Sequence, residues 1–351
     1  MLDYIVVGLG LAGITFCEVL ENEGKSFKVI SDDSQRASQV AGGLYNPVVL
    51  KRFTMAWKGK EQMQLAQPFY NSLEKKLGVV LDYKLAVLRR FASIEEQNAW
   101  FEAADRPGLD HFLSTAIIEN INTCIDAPFG FGEVKYTGRV DTEKLVHHYG
   151  EYLTKKGMLE VEPFDFSCLE FREDHIFYKS TTARQIVLAC GYGLKNDPFF
   201  NYLPLNGTKG ELLTIKAPEY NENNVIKSSV FTIPLGGDLY RVGATYKWKD
   251  KSNEPTEASK KELLEKLETF LKCDYQIVDH VAGIRPTVVD RRPLVGQHPE
   301  YKNLYILNGF GSRGVLIAPY ASQQLFNAIE HGTELDPEIN IKRFTKKYYS
   351  N

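Results

Sequence analysis

Residues 4–7 (YIVV) form an unbroken apolar run, and Ile5, Val6 and Val7 are β-branched. Such a run predicts a strand buried on both faces. From Ala12 the period changes. Phe16, Val19 and Leu20 fall at helical spacing, and Gly24 ends the pattern as a glycine just past a last turn does. FKVI (27–30) returns to a strand. Between the first strand and the helix stand Gly8, Gly10, Leu11, Ala12 and Gly13. Strand, glycine turn, helix, strand is a βαβ unit. Its glycines let the turn close and bring backbone N–H groups against a pyrophosphate, and the helix start supplies a favourable field. Glycines serving only tight packing give the same letters; the place between strand and helix favours the phosphate. An acidic residue about 20 positions further on should bond the ribose. Ser31 directly follows the strand. Asp32 takes that position if the strand ends one residue later, and a solvated loop is the other reading of Asp32 and Asp33.

The next segment, SQRASQVAGGLYNPVV (34–49), is rich in small residues: Ser38, Ala41, Gly42 and Gly43, followed by Leu44. Small residues let backbone approach a bulky flat ligand. Val40, Leu44, Tyr45 and Val48 make the stretch too apolar for a plain surface loop. A long helical pattern starts near Trp57. Ile186 to Leu188 predicts a buried strand ending in Ala189-Cys190-Gly191. Near the other end, Leu304 to Leu307 predicts a strand that meets Gly309, Gly311 and Gly314. A helix follows, with Leu325, Ala328 and Ile329 on one face and Gly332 as its stop. Two glycine turns, each feeding a helix start, imply one long ligand spanned between them, as FAD would be.

Between these segments the period is that of strands. GELLTI (210–215), SSVFTIP (228–234) and LYRVGAT (239–245) alternate, and LGGD between the last two is a hairpin turn. Helix 257–272 carries Leu263, Leu264, Leu267, Phe270 and Leu271 on one stripe.

Composition adds bounds. At 351 residues the chain exceeds the size at which single cores split, so two domains are expected. A net charge of −3 gives no global basic field and counts against a nucleic-acid partner. The five cysteines are widely spaced, without a C-x-x-C pair, and read as small buried apolar residues. No apolar run reaches membrane length and no leader is recognisable, so a cytoplasmic protein off the membrane is expected. No metal-ligand cluster and no Ser/His/Asp arrangement is apparent. His147-His148 reads as a solvated helix face, and His298 as a loop residue.

These segments resemble the D-amino-acid oxidase superfamily, and within it glycine oxidase and sarcosine oxidase. The likeness is carried by the first glycine turn, the ASQVAGGL loop, TKGE (208–211) and FTIPLGGDLYRVGATYKW (231–248). It continues through Gly283, Ile284, Arg285, Pro286, Asp290, Pro293 and Gly296 to GFGSRGVLIAP (309–319). GGLYNP and GSRG also look like the oxidase domain of the bifunctional enzyme that matures wobble uridine in bacterial tRNA. The resemblance implies an α/β fold. Its Rossmann-like FAD-binding domain would comprise 1–60, 136–205 and 281–351. A substrate domain on an antiparallel sheet would comprise 61–135 and 206–280. It implies non-covalent FAD, since no cysteine stands at sarcosine oxidase's attachment position. FAD would be held by the first turn and the 38–44 loop, by Ala189, Cys190 and Gly191, and by Gly311, Arg313, Gly314, Val315 and Leu316.

The implied activity is oxidation of the C–N bond of a small amine or amino acid, such as glycine, sarcosine or a D-amino acid. Hydride would pass to flavin N5, and then to O2 or another acceptor. Oxidation of a modified wobble uridine in tRNA, and flavin binding without catalysis, are the alternatives. A basic mouth at Lys51, Arg52, Lys58 and Lys60 would favour the tRNA reading. Arg285 sits among Val281, Ala282, Gly283 and Ile284, where a guanidinium needs a partner. It matches the arginine that holds the substrate carboxylate in glycine oxidase; an ion pair with Asp290 is the structural alternative. Phe231 replaces that enzyme's substrate-facing tyrosine. Tyr246 either returns a hydroxyl to the pocket or is a surface aromatic. Arg241 falls near sarcosine oxidase's oxygen-activating lysine, or is an exposed strand arginine.

Overall fold

The computed structural model describes residues 1–349, which form two large sheets that face one another across a cleft. In the first, Leu159–Val161, Phe27–Ser31, Leu2–Val7, Thr181–Leu188 and Leu304–Asn308 lie side by side, all parallel. Antiparallel Leu294–Gln297 closes one edge, and the hairpin Leu169–Phe171/Ile176–Tyr178 pairs with the start of Thr181–Leu188. The YIVV run explains why this sheet is central. Tyr4 and Val6 pack into one core with Phe16 and Leu325; Ile5 and Val7 pack into another with Ile186 and Leu188. Both faces are covered, so the strand has no polar alternation.

Helix Leu11–Asn22 follows the glycine turn, and Gly24 ends it with φ +66°. It packs against Gly314–His331, the helix after the distal turn, and Thr15 and Ser322 join hydroxyl to hydroxyl at 2.7 Å. Helices from opposite ends of the chain thus share one core.

The second sheet runs Gln276–Arg285, Thr208–Lys216, Leu239–Gly243, Phe231–Gly236, Val225–Lys227, Val87–Arg90, Phe131–Val134, Leu113–Ile118. Its pairs are antiparallel except Val225–Lys227 against Val87–Arg90. The LGGD hairpin is present, with positive φ at Gly236, Gly237 and Asp238. Leu263 and Leu267 of helix Glu257–Leu267 cover Leu213, Ile215, Tyr240 and Val242 on the face away from the first sheet.

Several expected boundaries move. The strand predicted over 228–234 begins only at Phe231: residues 228–230 form the turn after strand Val225–Lys227, where the Ser228 N–H donates to the carbonyl of Val230. Helix 257–272 stops at Leu267. A domain boundary at 60/61 falls inside helix Gly59–Leu77, whose Met63, Ala66, Tyr70 and Leu73 lie in the core of the first sheet. One at 280/281 cuts strand Gln276–Arg285, which stays paired with Thr208–Lys216 up to Arg285. His147 and His148 sit on helix Thr142–Lys155 beside Glu151, while His298 is buried and accepts from the N–H groups of Glu300 and Tyr301. Cys17 and Cys124 are buried, but Cys168, Cys190 and Cys273 are only partly so. Among the described residues no helix is long and apolar enough to cross a membrane.

Asp197 follows the turn after Thr181–Leu188. Its carboxylate accepts from the N–H groups of Phe199 and Phe200 and is 1% exposed. Burial wins over those bonds and pushes its pKa from 3.8 up to about 6. Below the lower value the group is neutral, folded or unfolded. Above the higher it is ionised in both, and the fold bears the buried charge. Asp197→Asn should therefore gain on the native protein by up to about 3 kcal/mol as pH rises from 4 to 7, read by urea unfolding. A difference that is the same at both pH values would refute this account.

Candidate functional site

The first glycine turn is packed so closely that its residue types are forced. Gly8 has φ +102°, and a Cβ there would lie 2.7 Å from the Ala189 carbonyl oxygen. A Cβ at Gly13 would lie 1.9 Å from the Gly8 carbonyl oxygen. Gly10 differs: its added Cβ would meet only the Ser38 hydroxyl, at 3.0 Å. That hydroxyl accepts from the N–H of Leu11, so the 38–44 loop is tied to the helix start. The distal turn closes on the same place, since a Cβ on Gly314 would come 3.1 Å from Leu11 Cδ1. Both helices leave their first N–H groups without intrahelical partners.

These helix starts open on one cavity of about 930 Å³ between the two sheets. Gly8, Gly10, Leu11, Ala12, Ser31, Asp32, Ser38, Ala41, Gly42, Gly43 and Leu44 line it. So do Ala189, Cys190, Gly191, Gly311, Arg313, Gly314, Val315 and Leu316, together with Arg285, Tyr246 and Phe231. Two predicted residues do not. Gly13 is a packing position behind the turn. Arg241 lies off the cavity, with one guanidinium nitrogen 3.6 Å from Asp279.

The second strand extends to Ser31, one residue beyond its predicted end. The Ser31 hydroxyl accepts from the Leu9 N–H, inside the glycine turn. Asp32 thus stands directly after the strand, with Oδ1 accepting from Ser34. Gly43 has φ +67° and no room for a Cβ against the Val140 carbonyl, which pins the loop. Gly42 faces Phe231 and Ile233 across the cleft.

At the other end of the cavity the Arg285 guanidinium lies over Gly210, where a Cβ would fall 1.9 Å from one of its nitrogens. Nη1 donates to the Thr245 carbonyl at 3.1 Å, and the guanidinium sits 4.4 Å from the Tyr246 ring centroid. Among the described residues no carboxylate is within 4.0 Å of it. Asp290, the alternative partner, is held by Arg343 at 2.8 Å. Burial lowers the Arg285 pKa, and Tyr246 opposes that shift. Tyr246 combines both expectations: it lines the cavity and is 56% exposed, so it stands at the mouth. Arg313 ties the distal turn to the loop after Tyr45 by donating to the carbonyls of Asn46 and Val48 at 2.8 and 3.3 Å.

TKGE (208–211) alternates in function as a strand should. Thr208, Gly210 and Leu212 face one way. Lys209 and Glu211, both fully buried, face the other: Lys209 binds Asp250 at 2.6 Å, and Glu211 accepts from the N–H and hydroxyl of Thr256. Gly210 was the readable signal, a glycine inside a strand pattern marking a close approach. Lys227 and Leu212 also line the cavity, and no pattern in the sequence announced them.

The sequence matches the family of FAD-dependent oxidoreductases abbreviated DAO over residues 3–327. The chain belongs to that family. A glycine oxidase of Pseudomonas aeruginosa is 24% identical over 363 residues, 95% of this chain and 96% of that protein. A tRNA 5-methylaminomethyl-2-thiouridine biosynthesis bifunctional protein of Aromatoleum aromaticum is 29% identical over 164 residues. That match takes 41% of this chain and only 26% of the bifunctional protein. Crystalline glycine oxidase from Geobacillus kaustophilus shares the fold, at a TM-score of 0.78, 17% identity, and coverage of 100% of this chain and 99% of that one. This is an FAD-dependent oxidoreductase, and the residues present fit FAD: two helix starts and a turn closed to side chains form a cradle.

Gly10 separates cradle from scaffold. Gly10→Ala should fold and lose FAD affinity, read by titration of the apoprotein, because its Cβ displaces Ser38 and crowds the pyrophosphate approach. Gly13→Ala should fail to accumulate folded protein, as its clash is with backbone. Full FAD occupancy in Gly10→Ala would show that this turn does not hold the phosphates.

Proposed function

We propose that this family member oxidises the C–N bond of a small amino acid or N-substituted amino acid. The observation that carries the reading is Arg285, a guanidinium turned into the cavity beside an exposed tyrosine with no carboxylate of its own. A fork of N–H donors in such a place suits a substrate carboxylate. Gly210 makes room for the guanidinium, Tyr246 braces it, and Thr245 fixes one nitrogen. Phe231 and Leu212 give the reacting carbon a wall that excludes water.

FAD supplies the hydride acceptor. Asp32, directly after the second strand, is assigned the ribose, and the turn at Gly8 and Gly10 the pyrophosphate. The start of helix Gly314–His331 directs its positive end at the cavity, where it favours negative charge. None of the chain's seven histidines lines the cavity, so the amine is taken to bind unprotonated, without a histidine base. Arg241, away from the cavity, has no assigned part in oxygen chemistry. We assign cofactor binding to the first sheet with helix Gly59–Leu77, and substrate binding to the second. The tRNA reading draws less support: of its four cations, Lys58 is bound to Asp336 at 3.0 Å and only Lys51 lines the cavity.

Arg285→Met keeps much of the side-chain length and removes the charge. It should lower kcat/KM for carboxylate-bearing amines by about 30- to several-thousand-fold, or ~2–5 kcal/mol of transition-state binding. Arg285→Lys should recover part of that. Amines without a carboxylate should lose little, and FAD content should hold. Equal losses on both substrate classes, or loss of flavin, would make Arg285 structural.

A further inference from the structure

The ionisable side chains of the cavity are sorted by sign. Among the described residues its only carboxylates are Asp32 and Asp33, at the end assigned to the ribose. Its cations are Lys51, Lys227, Lys266, Arg285 and Arg313, all away from that end. Arg313 is engaged by backbone carbonyls, and Lys266 by Glu262 at 2.6 Å. Lys51 follows the 38–44 loop and is exposed. Lys227 is different. It is partly buried, its Nζ lies 5.8 Å from the Phe231 ring centroid, and among the described residues no carboxylate comes within 4.0 Å of it.

Register places Lys227 relative to Arg285. Leu212, Gly243, Phe231 and Lys227 form one row across four neighbouring strands. Leu212, Phe231 and Lys227 all line the cavity, and a Cβ on Gly243 would touch both Leu212 and Phe231, so the row shares a face. Three inter-strand steps of about 4.8 Å make the row ~14 Å long. Gly210, under the Arg285 guanidinium, lies two residues before Leu212 on the same face. An apolar floor of Leu212 and Phe231 therefore separates two cationic ends by about 10–15 Å.

We propose that the substrate carries a second anionic group, a carboxylate at the far end of an apolar tail, and that Lys227 binds it. This deepens the reading above and rests on it: Arg285 takes the amino-acid head, the tail crosses Leu212 and Phe231, and the distal carboxylate meets Lys227. The neighbours of Lys227 argue the same way. Burial above all, then the repulsion of Arg89 on the adjoining strand Val87–Arg90 and of Lys266 on helix Glu257–Leu267, pushes its pKa down to about 8. Arg89 is held by Glu96 and by the carbonyls of Lys227 and Ser228. Among the described residues no anion comes within 4.0 Å to relieve Lys227, and a ligand's would. A tail of that kind also gives the apolar floor a purpose that glycine alone would not.

The test uses two ligands with sulfur in place of the amine nitrogen, so that binding is measured without turnover: (pentylthio)acetate and its analogue with a carboxylate ending the pentyl chain. Each is titrated by calorimetry into the FAD-loaded protein at pH 7, where Lys227 is still mostly protonated. The native protein should bind the dicarboxylate about 10- to 100-fold more tightly. Lys227→Met should abolish that preference while binding the monocarboxylate within about two-fold of native, and Lys227→Arg should keep most of it. FAD content reports that each variant is folded. Equal affinities in the native protein, or a preference that survives Lys227→Met, would overturn the proposal. Arg285→Met keeps the two readings apart. It should weaken both ligands alike; if it weakens neither, the head-group reading fails, whatever Lys227 does.

Discussion

Gly8 and Gly13 meet where no side-chain carbon fits, and the rest of the molecule depends on that contact. The helix after the first strand can start at Leu11 only because the Gly13 backbone rests against the Gly8 carbonyl. Its start then points into the cleft. The distal helix is bound by the same constraint, since Gly314 rests on the Leu11 side chain. Two helix dipoles, from the first and last portions of the chain, thus converge on one volume. The contact is long-range in sequence and made largely of backbone, so its tolerance for substitution is small. The shared core beneath it, with Thr15 bonded to Ser322, keeps the two helix starts from sliding apart.

The second sheet answers with a different kind of constraint. It must offer a guanidinium to the cleft without letting the fold neutralise it. Glycine at position 210 clears the space, and the flanking Lys209 and Glu211 are turned away and satisfied behind the sheet. Buried charges of that sort are weak evidence of net stability. Their service here is geometric: they fix which face of the strand each residue takes. A slip by one residue would exchange Gly210 for a lysine or a glutamate in the cavity.

Much of this was legible because the first sheet obeys local rules. The YIVV run, the glycine spacing and the periodic helix after it all answer to strong short-range physics, and the distal turn repeats them. The second sheet was less legible. The strand predicted over 228–234 starts late, at Phe231, because of a turn at Ser228 that no glycine or proline marks. The 60/61 boundary fell inside a helix because Met63, Ala66, Tyr70 and Leu73 spell an amphipathic face without naming the sheet it covers. Site residues followed the same division. Gly8, Gly10 and Arg285 stand in motifs, whereas Lys227 enters the cavity only through pairing with Phe231 and Arg89, and pairing is not written in the local sequence. Arg241 shows the converse. Its motif position placed it near the chemistry, and strand geometry sends it towards Asp279.

What leaves the second-sheet side of the cavity positive is the company kept by carboxylates elsewhere in the chain. Asp290 is bound by Arg343, Glu211 by Thr256, Asp250 by Lys209, and Glu262 by Lys247 and Lys266. Each is held by a partner outside the cavity's cationic pair. Among the described residues Arg285 and Lys227 therefore have no carboxylate within 4.0 Å, a state that costs stability unless something else supplies the counter-charge. A low-dielectric cleft with one such group selects for an anion; with two, set across an apolar floor, it selects for the spacing between anions as well. The specificity we propose for this molecule thus follows from where its own acids are not.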